Sequence, residues 1–375
     1  MIDISSRMRL RPSVAMAPLG DEIWQFFLGN SRTTRHFRLR RELAEALMQL
    51  DGTATLLEVA QRTHTDPGSL EALARALHSA CVLEKQDLAR RVARSPWRRV
   101  LNFIGDYIPA EEVEAAFARL SETEVVILGV GAVGSWVASQ LCQSAVSRMV
   151  LVDDDTVEVS NLNRALYGRP DVGQFKVDAL SKRLQSINPN AVIRPVRQRI
   201  ADADELAALL TGPGPCRIVV NCADMPSVDA TSAIVDRACR LTGAPYVIAG
   251  GYNLHLSLIG MTVLPGRTAC YHCGRLTLEA LQGDDLVGLR KLARPWRNIG
   301  NLAPLAAITA SFAANEVIRV ALSDSRIAPA MVNRRGEFNF LTSEMHFTNL
   351  PPRLDCGCIA MASTANDHPS AAGRS

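Results

Sequence analysis

The stretch VVILGVGAVGSWVASQLCQSAVSRMVLVDDDTVEVSNLNR, Val125 to Arg164, decides the fold. An apolar run from Val125 to Leu128 meets a turn with Gly129, Gly131 and Gly134 in G-x-G-x-x-G spacing, and then a helical pattern begins. That order sets backbone N–H groups and the positive end of a helix dipole where phosphate oxygens can reach them. A bulky side chain in the turn would hold the phosphates off. A second apolar strand ends at Asp153, roughly 20 residues on, where a carboxylate can accept hydrogen bonds from ribose hydroxyls. Alone, the glycine spacing also fits a tight turn with no ligand; the acid at the next strand end is what points to a nucleotide.

The residues beyond Asp153 separate ATP from a dinucleotide. Asn161 and Arg164 come soon after the acid, Lys176 sits within VGQFK, and Asp224 ends the strand VVNCAD. Expelling pyrophosphate from ATP needs fixed cations against the polyphosphate and an acid able to hold magnesium across it. Hydride transfer needs neither. Each residue has a plain alternative when taken singly: a surface ion pair for Arg164, a solvated helix residue for Lys176, a helix N-cap before Pro226 for Asp224. Their order and spacing together favour ATP and Mg2+.

Outward from this core, VIRPVRQRI and RIVVNCAD read as further strands, the second apolar enough to be central in a parallel sheet. PYVIAGGYN, LSLIGMTVLPG and FNFLTSEMHFTNL supply later strands, and LAPLAAITASFAANEVIRVAL a helix buried against the sheet. The expected fold class is α/β, a Rossmann-like, mostly parallel sheet flanked by helices. Ahead of it, residues 1–90 read as a small module of strands (EIWQFFLGN, then RHFRL) and three helices. Thr55 and Glu58 form a capping box, and Asp66-Pro67 starts the third helix. Residues 91–120, with the arginine-rich ARRVARSPWRR at their start, read as a linker and helical arm, 121–360 as the nucleotide domain, and 361–375 as a disordered tail. LQGDDLVGLRKLARPWRNIGN, 281–301, has the mixed charge and glycines of a mobile lid.

With 375 residues, 47% hydrophobic and 21% charged, the chain is long enough for two or more domains. A formal net charge of +3 does not by itself imply nucleic acid. The first residues lack the apolar core of a signal peptide and no stretch of about 18 apolar residues offers a membrane span, so the expected location is the cytoplasm. Nine cysteines, an odd number, fit thiols and a metal better than a disulfide framework. Cys270 and Cys273 make C-x-x-C, and Cys356 and Cys358 are placed to complete a structural, all-protein Zn2+ site; unbound thiols are the plain alternative.

The sequence resembles the ubiquitin-activating-enzyme-like (ThiF/MoeB-type) adenylating superfamily. GVGAVGSW, LVDDDTVEVSNLNRA, VGQFKVDAL, INPNA, NCAD, PGRTACYHC and LAPLAAITASFAANEVIR carry the resemblance, over about Val125 to Cys358. It implies that Gly129, Gly131, Gly134, Asp153 and Asp155 form the nucleotide site, and that Asn161, Arg164 and Lys176 contact phosphate. It implies a magnesium-linked role for Asp224 and a zinc held by two cysteine pairs, of which the C-x-C here departs from the usual second C-x-x-C. Arg99, within PWRR, loosely matches an arginine that the family lends across a homodimer interface to the triphosphate. After Asp224 the chain has Met225 where the family often has asparagine. Between Cys273 and Cys356, where relatives that form a thioester place their nucleophile, there is no cysteine. Cys81, Cys142, Cys216, Cys222 and Cys239 fall in expected helices or strands, so no catalytic thioester cysteine is expected.

The front module resembles the precursor-peptide recognition domain, a small α+β winged helix-turn-helix that adds a leader peptide as a strand to its sheet edge. A DNA-binding winged helix or a dimerisation arm are the alternatives; Arg32, Arg35, Arg38, Arg40 and Arg41 suit DNA or an acidic leader. Module plus adenylating domain is the architecture of peptide-modifying enzymes of the microcin and pantocin types. The resemblance implies adenylation of a carboxyl or carboxamide in a ribosomally made precursor peptide, with pyrophosphate released. The competing readings are an activator of a sulfur-carrier or ubiquitin-like protein, a non-catalytic peptide- or DNA-binding regulator, and a redox enzyme.

Overall fold

The computed structural model describes residues 2–20, 22–212, 214, 216–249, 251–253, 256–282, 300–323 and 326–358. The expected tail lies outside them, as does most of the expected lid. The chain divides into two units: Met1–Thr123 with Gln143–Val146 and Ala321–Ala328, and the remainder.

In the first unit the order is β1 (Arg7–Leu10), β2 (Val14–Gly20), β3 (Ile23–Leu28), β4 (Thr33–Arg38), α1 (Arg41–Met48), β5 (Asp51–Thr55), α2 (Leu56–Thr63), α3 (Pro67–Ser79), β6 (Leu83–Lys85), α4 (Gln86–Arg94), α5 (Arg98–Gly105) and α6 (Ala110–Glu122). One antiparallel sheet runs β2-β3-β4 and another β5-β1-β6. The alternation in IWQFFL buries Phe26 and Leu28 on one face of β3 while Phe27 stays exposed. These residues join Leu47, Leu56, Leu70 and Leu77 from the helices in one core. The capping box at the start of α2 is complete: the Glu58 N–H donates to Thr55 Oγ1 at 3.2 Å and the Thr55 N–H to Glu58 Oε2 at 2.8 Å. Asp66 caps α3, which has Pro67 in its first turn. Asp51 and Gly52 open β5, whose partner is β1. The arginine-rich stretch is folded into α4 and α5, with Val92 and Leu101 buried.

The second unit contains β7 (Glu124–Leu128), α7 (Ala132–Gln143), β8 (Arg148–Val152), α8 (Lys176–Ile187), β9 (Val192–Val196), α9 (Ala203–Leu210), β10 (Arg217–Asn221), α10 (Val228–Thr242), β11 (Tyr246–Ile248), β12 (Gly251–Asn253), β13 (Leu256–Ile259), β14 (Thr262–Val263), α11 (Tyr271–Gln282), α12 (Ala303–Ala321), β15 (Arg334–Asn339) and β16 (Met345–Asn349). Its main sheet has the order β14-β11-β10-β7-β8-β9, parallel except for β14. Val125, Val126 and Ile127 in β7 and Ile218, Val219 and Val220 in β10 are fully buried, as strands covered on both faces require. The chain steps outward one way through β8 and β9, then returns to the other side of β7 as β10. The sheet order therefore reverses between β7 and β10. Ligands of such sheets bind in the crevice beyond the strand ends at that reversal, here beyond Leu128 and Asn221. PYVIAGGYN and LSLIGMTVLPG each divide between two sheets, giving β11 and β14 to the main one and β12 and β13 to a separate antiparallel sheet, β12-β13-β15-β16, in which FNFLTSEMHFTNL turns back on itself between β15 and β16. Among the described residues no helix is long and apolar enough to cross a membrane.

Candidate active site

Two of the three glycines in the turn after β7 have a steric reason. Gly129 has φ +78°, and a Cβ there would lie 2.9 Å from Ala223 backbone atoms. A Cβ on Gly134 would lie 1.9 Å from the Gly129 carbonyl oxygen, so only glycine lets α7 start this close to the turn. A Cβ on Gly131 would meet nothing within 4 Å. Gly131 thus borders open space at the mouth of α7, where the first N–H groups of a helix have no intrahelical partner.

The turn is braced from two sides. The Val130 N–H donates to Asp153 Oδ2 at 2.8 Å, and the Tyr167 hydroxyl donates to the Val130 carbonyl at 2.6 Å. Because a trans peptide is planar with its C=O and N–H opposed, pinning that carbonyl turns the Gly131 N–H the other way. Tyr167 is 7% exposed, and burial pushes its phenol well above the ordinary range, so it stays a hydroxyl donor. No sequence motif singles out Tyr167; its place in the loop between two motif segments is the only hint.

Asp153 comes directly after β8. One oxygen accepts from Val130 and the other from the Asp155 N–H at 2.9 Å. Burial raises its carboxyl above the ordinary range, against the pull of Lys176 and of these two N–H donors. Lys176 is the first residue of α8; its Nζ is 2.7 Å from Asp155 Oδ2, and its side chain is 11% exposed against 57% for Asp155. Asn161 closes a turn by accepting the Glu158 N–H on its side-chain oxygen at 3.0 Å. Half-buried Arg164 donates to the Ser160 carbonyl at 2.6 Å, and its own carbonyl accepts from Trp136 Nε1 on α7 at 3.0 Å. The loop that bears Asn161 and Arg164 is thereby tied to the helix that begins at the glycine turn.

Across the crevice, buried Asn221 orders the turn after β10. Its amide donates to Thr231 and Ser232 on α10, both at 3.1 Å, and its oxygen accepts the Ala223 N–H at 3.2 Å. Asp224 comes next, exposed, with no partner among the described residues; the N-cap of α10 is Ser227, which accepts the Ala230 N–H. So the structure gathers the glycine turn, Asp153, Asp155 and Lys176 through direct contacts, with Asp224 at the neighbouring strand end. Arg99 belongs to the first unit, where it is exposed on α5.

The four cysteines of the expected metal site converge. Their sulfurs lie within 4.8 Å of one another, with Cys270–Cys356 and Cys273–Cys358 each at 3.4 Å. A zinc–sulfur bond of about 2.3 Å implies tetrahedron edges near 3.8 Å, so the set fits zinc. Burial pushes the Cys273 thiol up to about 11 and Cys270 further still, so a cation is what would hold them as thiolates. Gly357, at φ +65°, lets C-x-C turn both sulfurs inward, which explains the short spacing. Of the remaining cysteines, Cys81, Cys142 and Cys239 are buried, with burial raising Cys142 to about 11, and Cys222 is half-buried. Cys216 is exposed just before β10 and not within a strand.

Comparison with known proteins identifies the family and the fold. The family model described as ThiF family matches residues 108–358. Ubiquitin-like modifier-activating enzyme 5 of Drosophila mojavensis is 26% identical over 290 residues, 73% of this chain and 70% of that protein. Its counterpart in Arabidopsis thaliana is 25% identical over 325 residues, 81% and 72%. Among solved structures, E. coli MccB with ATP superposes with a TM-score of 0.71 at 19% identity, covering 94% of this chain and 99% of that one. PaaA superposes with a TM-score of 0.66 at 20% identity, covering 92% and 100%. At these identities the superpositions establish a common fold.

Proposed function

The chain belongs to the ThiF family of adenylating enzymes, and from that premise we propose that it uses ATP to adenylate a carboxyl or carboxamide of a ribosomally made precursor peptide. The observation that carries the reading is the convergence of a bare glycine turn, Asp153 and a buried Lys176 at the sheet's reversal point. The Gly131 N–H and the first turn of α7 would take phosphate oxygens, and Asp153 the ribose hydroxyls. Lys176 and Arg164, with Asn161, would draw off charge as a substrate oxygen attacks the α-phosphorus and its bond to pyrophosphate breaks. Asp224, exposed and with no partner among the described residues, suits a Mg2+ ion, which would neutralise the departing pyrophosphate.

The first unit is read as the domain that holds the peptide's leader, an arrangement supported by the fold shared along nearly the whole chain with MccB, which has been solved with N-formylated MccA. Residues 1–90 would carry that role and 121–360 the chemistry, in the cytoplasm. A homodimer would let Arg99 reach the partner's triphosphate. The cysteine set would hold a structural zinc. With no cysteine between Cys273 and Cys356, the reaction is read as ending at the adenylate or at attack on it from within the peptide. The similarity to ubiquitin-like modifier-activating enzyme 5 favours one other reading, activation of a carrier protein's C-terminal carboxylate.

ATP–pyrophosphate exchange with magnesium separates the two. Exchange dependent on a short peptide encoded beside the gene, and weakened when its leader is removed, is the expected result. Exchange driven only by a carrier protein would replace the peptide reading, and NAD but not ATP protecting the chain from thermal unfolding would remove both.

A further inference from the structure

Arg11 lies just past β1 and is 5% exposed, yet its guanidinium makes no ion pair or hydrogen bond with any described residue, and its Nε is enclosed without a partner. A buried cation is rarely left so, because its desolvation has nothing to offset it. The Arg11 N–H donates to the Val82 carbonyl at 3.0 Å, which sets it beside the turn after α3, where Cys81 has φ +62°. Arg326 donates to the Ser79 carbonyl of the same turn at 3.2 Å. Arg35, on the edge strand β4, lies directly opposite Phe26, and so on the sheet face that Phe26 turns to the core. All three arginines act on the Cys81 thiol: burial raises it, and Arg11, Arg326 and Arg35 pull it back. Asp106, whose charge opposes theirs at Cys81, is engaged by the Ser13 hydroxyl and the Asn30 amide and pairs with none of the three.

We propose that Arg11, Arg35 and Arg326 form a recessed carboxylate-binding site in the first unit, with Arg11 as its floor and exposed Arg35 and Arg326 at its mouth, and that it takes an acidic side chain of the peptide substrate. The identity of that ligand rests on the peptide reading above. A carboxylate is favoured over nucleic acid because the arginine that lacks a partner is buried; a duplex is gripped by exposed cations spread along a face, which leaves a buried one unpaired.

The test is thermal unfolding of the full chain with N-acetylglutamate α-amide, its glutamine counterpart, inorganic phosphate or a random DNA duplex. It compares wild type, Arg35→Gln/Arg326→Gln and Arg11→Met. The site predicts an upward shift of about 2 °C with the glutamate probe at saturation, none with the glutamine probe, and loss of the shift in the double variant. It also predicts that ligand-free Arg11→Met melts no lower than wild type, since an uncompensated buried charge has been removed. A response to phosphate and duplex but not to the glutamate probe would overturn the proposal in favour of nucleic acid. No response to any probe, or a marked drop in the melting temperature of Arg11→Met, would overturn it by showing Arg11 balanced within the chain. Pyrophosphate exchange is not part of this readout, so failure of the adenylation reading leaves the result interpretable.

Discussion

Lys176 is held 2.7 Å from Asp155, with the lysine nearly enclosed and the aspartate more than half exposed. An exposed carboxylate therefore parks a buried ammonium group at the start of α8, and the proposed role has it turn from there to a triphosphate. Lys176→Ala is expected to lower pyrophosphate exchange by about 10²–10³-fold, the scale of a lost charge-stabilising donor. Peptide binding should be retained. Full exchange in this variant would sink the mechanism. Asp155→Asn removes the charge that offsets a nearly enclosed ammonium group, so its melting temperature should fall below that of wild type.

Tyr167→Phe removes one hydroxyl and no packing volume. If the bond to the Val130 carbonyl fixes the direction of the Gly131 N–H, KM for ATP rises about 3–10-fold while kcat at saturating ATP changes little, as for a neutral hydrogen bond worth about 1 kcal/mol. A residue that merely supports the fold would lower the melting temperature and leave KM alone.

The sheet was legible because β7 and β8 are apolar runs followed at once by glycine or acid, β10 is an apolar run up to Asn221, and burial on both faces leaves that pattern little freedom. β5 and β6 were not. They are five and three residues long, and both exist by pairing with β1, so their local sequence carries no period to detect. The site divides in the same way. Asp153 and Lys176 belong to spaced motifs, but Tyr167 and Asn221 act through contacts that only the folded chain brings about. The C-x-C pair is irregular as a spacing and regular as geometry, because the left-handed backbone at Gly357 accounts for it.

The cysteine cluster should contain one zinc per chain by elemental analysis. Cys356→Ser or prolonged chelation is expected to lower the melting temperature by several degrees, because α11 and the segment after β16 lose their tie. Gly357→Ala, strained at positive φ, should lower it by less.

Asp153 makes the pH dependence run in an unusual direction. Its folded carboxyl is raised by burial, so the folded state binds its proton more readily than the unfolded chain does. Its unfavourable contribution to stability is present in full above the raised folded value and is relieved as pH falls toward the ordinary range near 4. If Asp153 takes the ribose hydroxyls as proposed, nucleotide binding responds the other way, since a protonated carboxyl is a poorer acceptor. ATP affinity should therefore begin to fall on acidification while this residue's contribution to stability improves, a divergence seen by measuring both in the same buffer series. Parallel loss of the two would assign the acid limb to other groups.

The two glycines at the mouth of α7 give the sharpest separation of folding from binding. Gly134→Ala drives a Cβ to within 1.9 Å of the Gly129 carbonyl oxygen, so the turn must shift, and stability and nucleotide binding should fall together. Gly131→Ala places its methyl in space that nothing within 4 Å occupies. That variant should keep its melting temperature within about 1 °C, because its backbone is not in the left-handed region and no contact is crowded. If the empty space is where phosphates approach, the same methyl stands between them and the Gly131 N–H, and KM for ATP rises at least tenfold in a fully folded chain. Unchanged KM in Gly131→Ala would move the phosphates away from this turn, and with them the reading of the crevice between β7 and β10 as the place of catalysis.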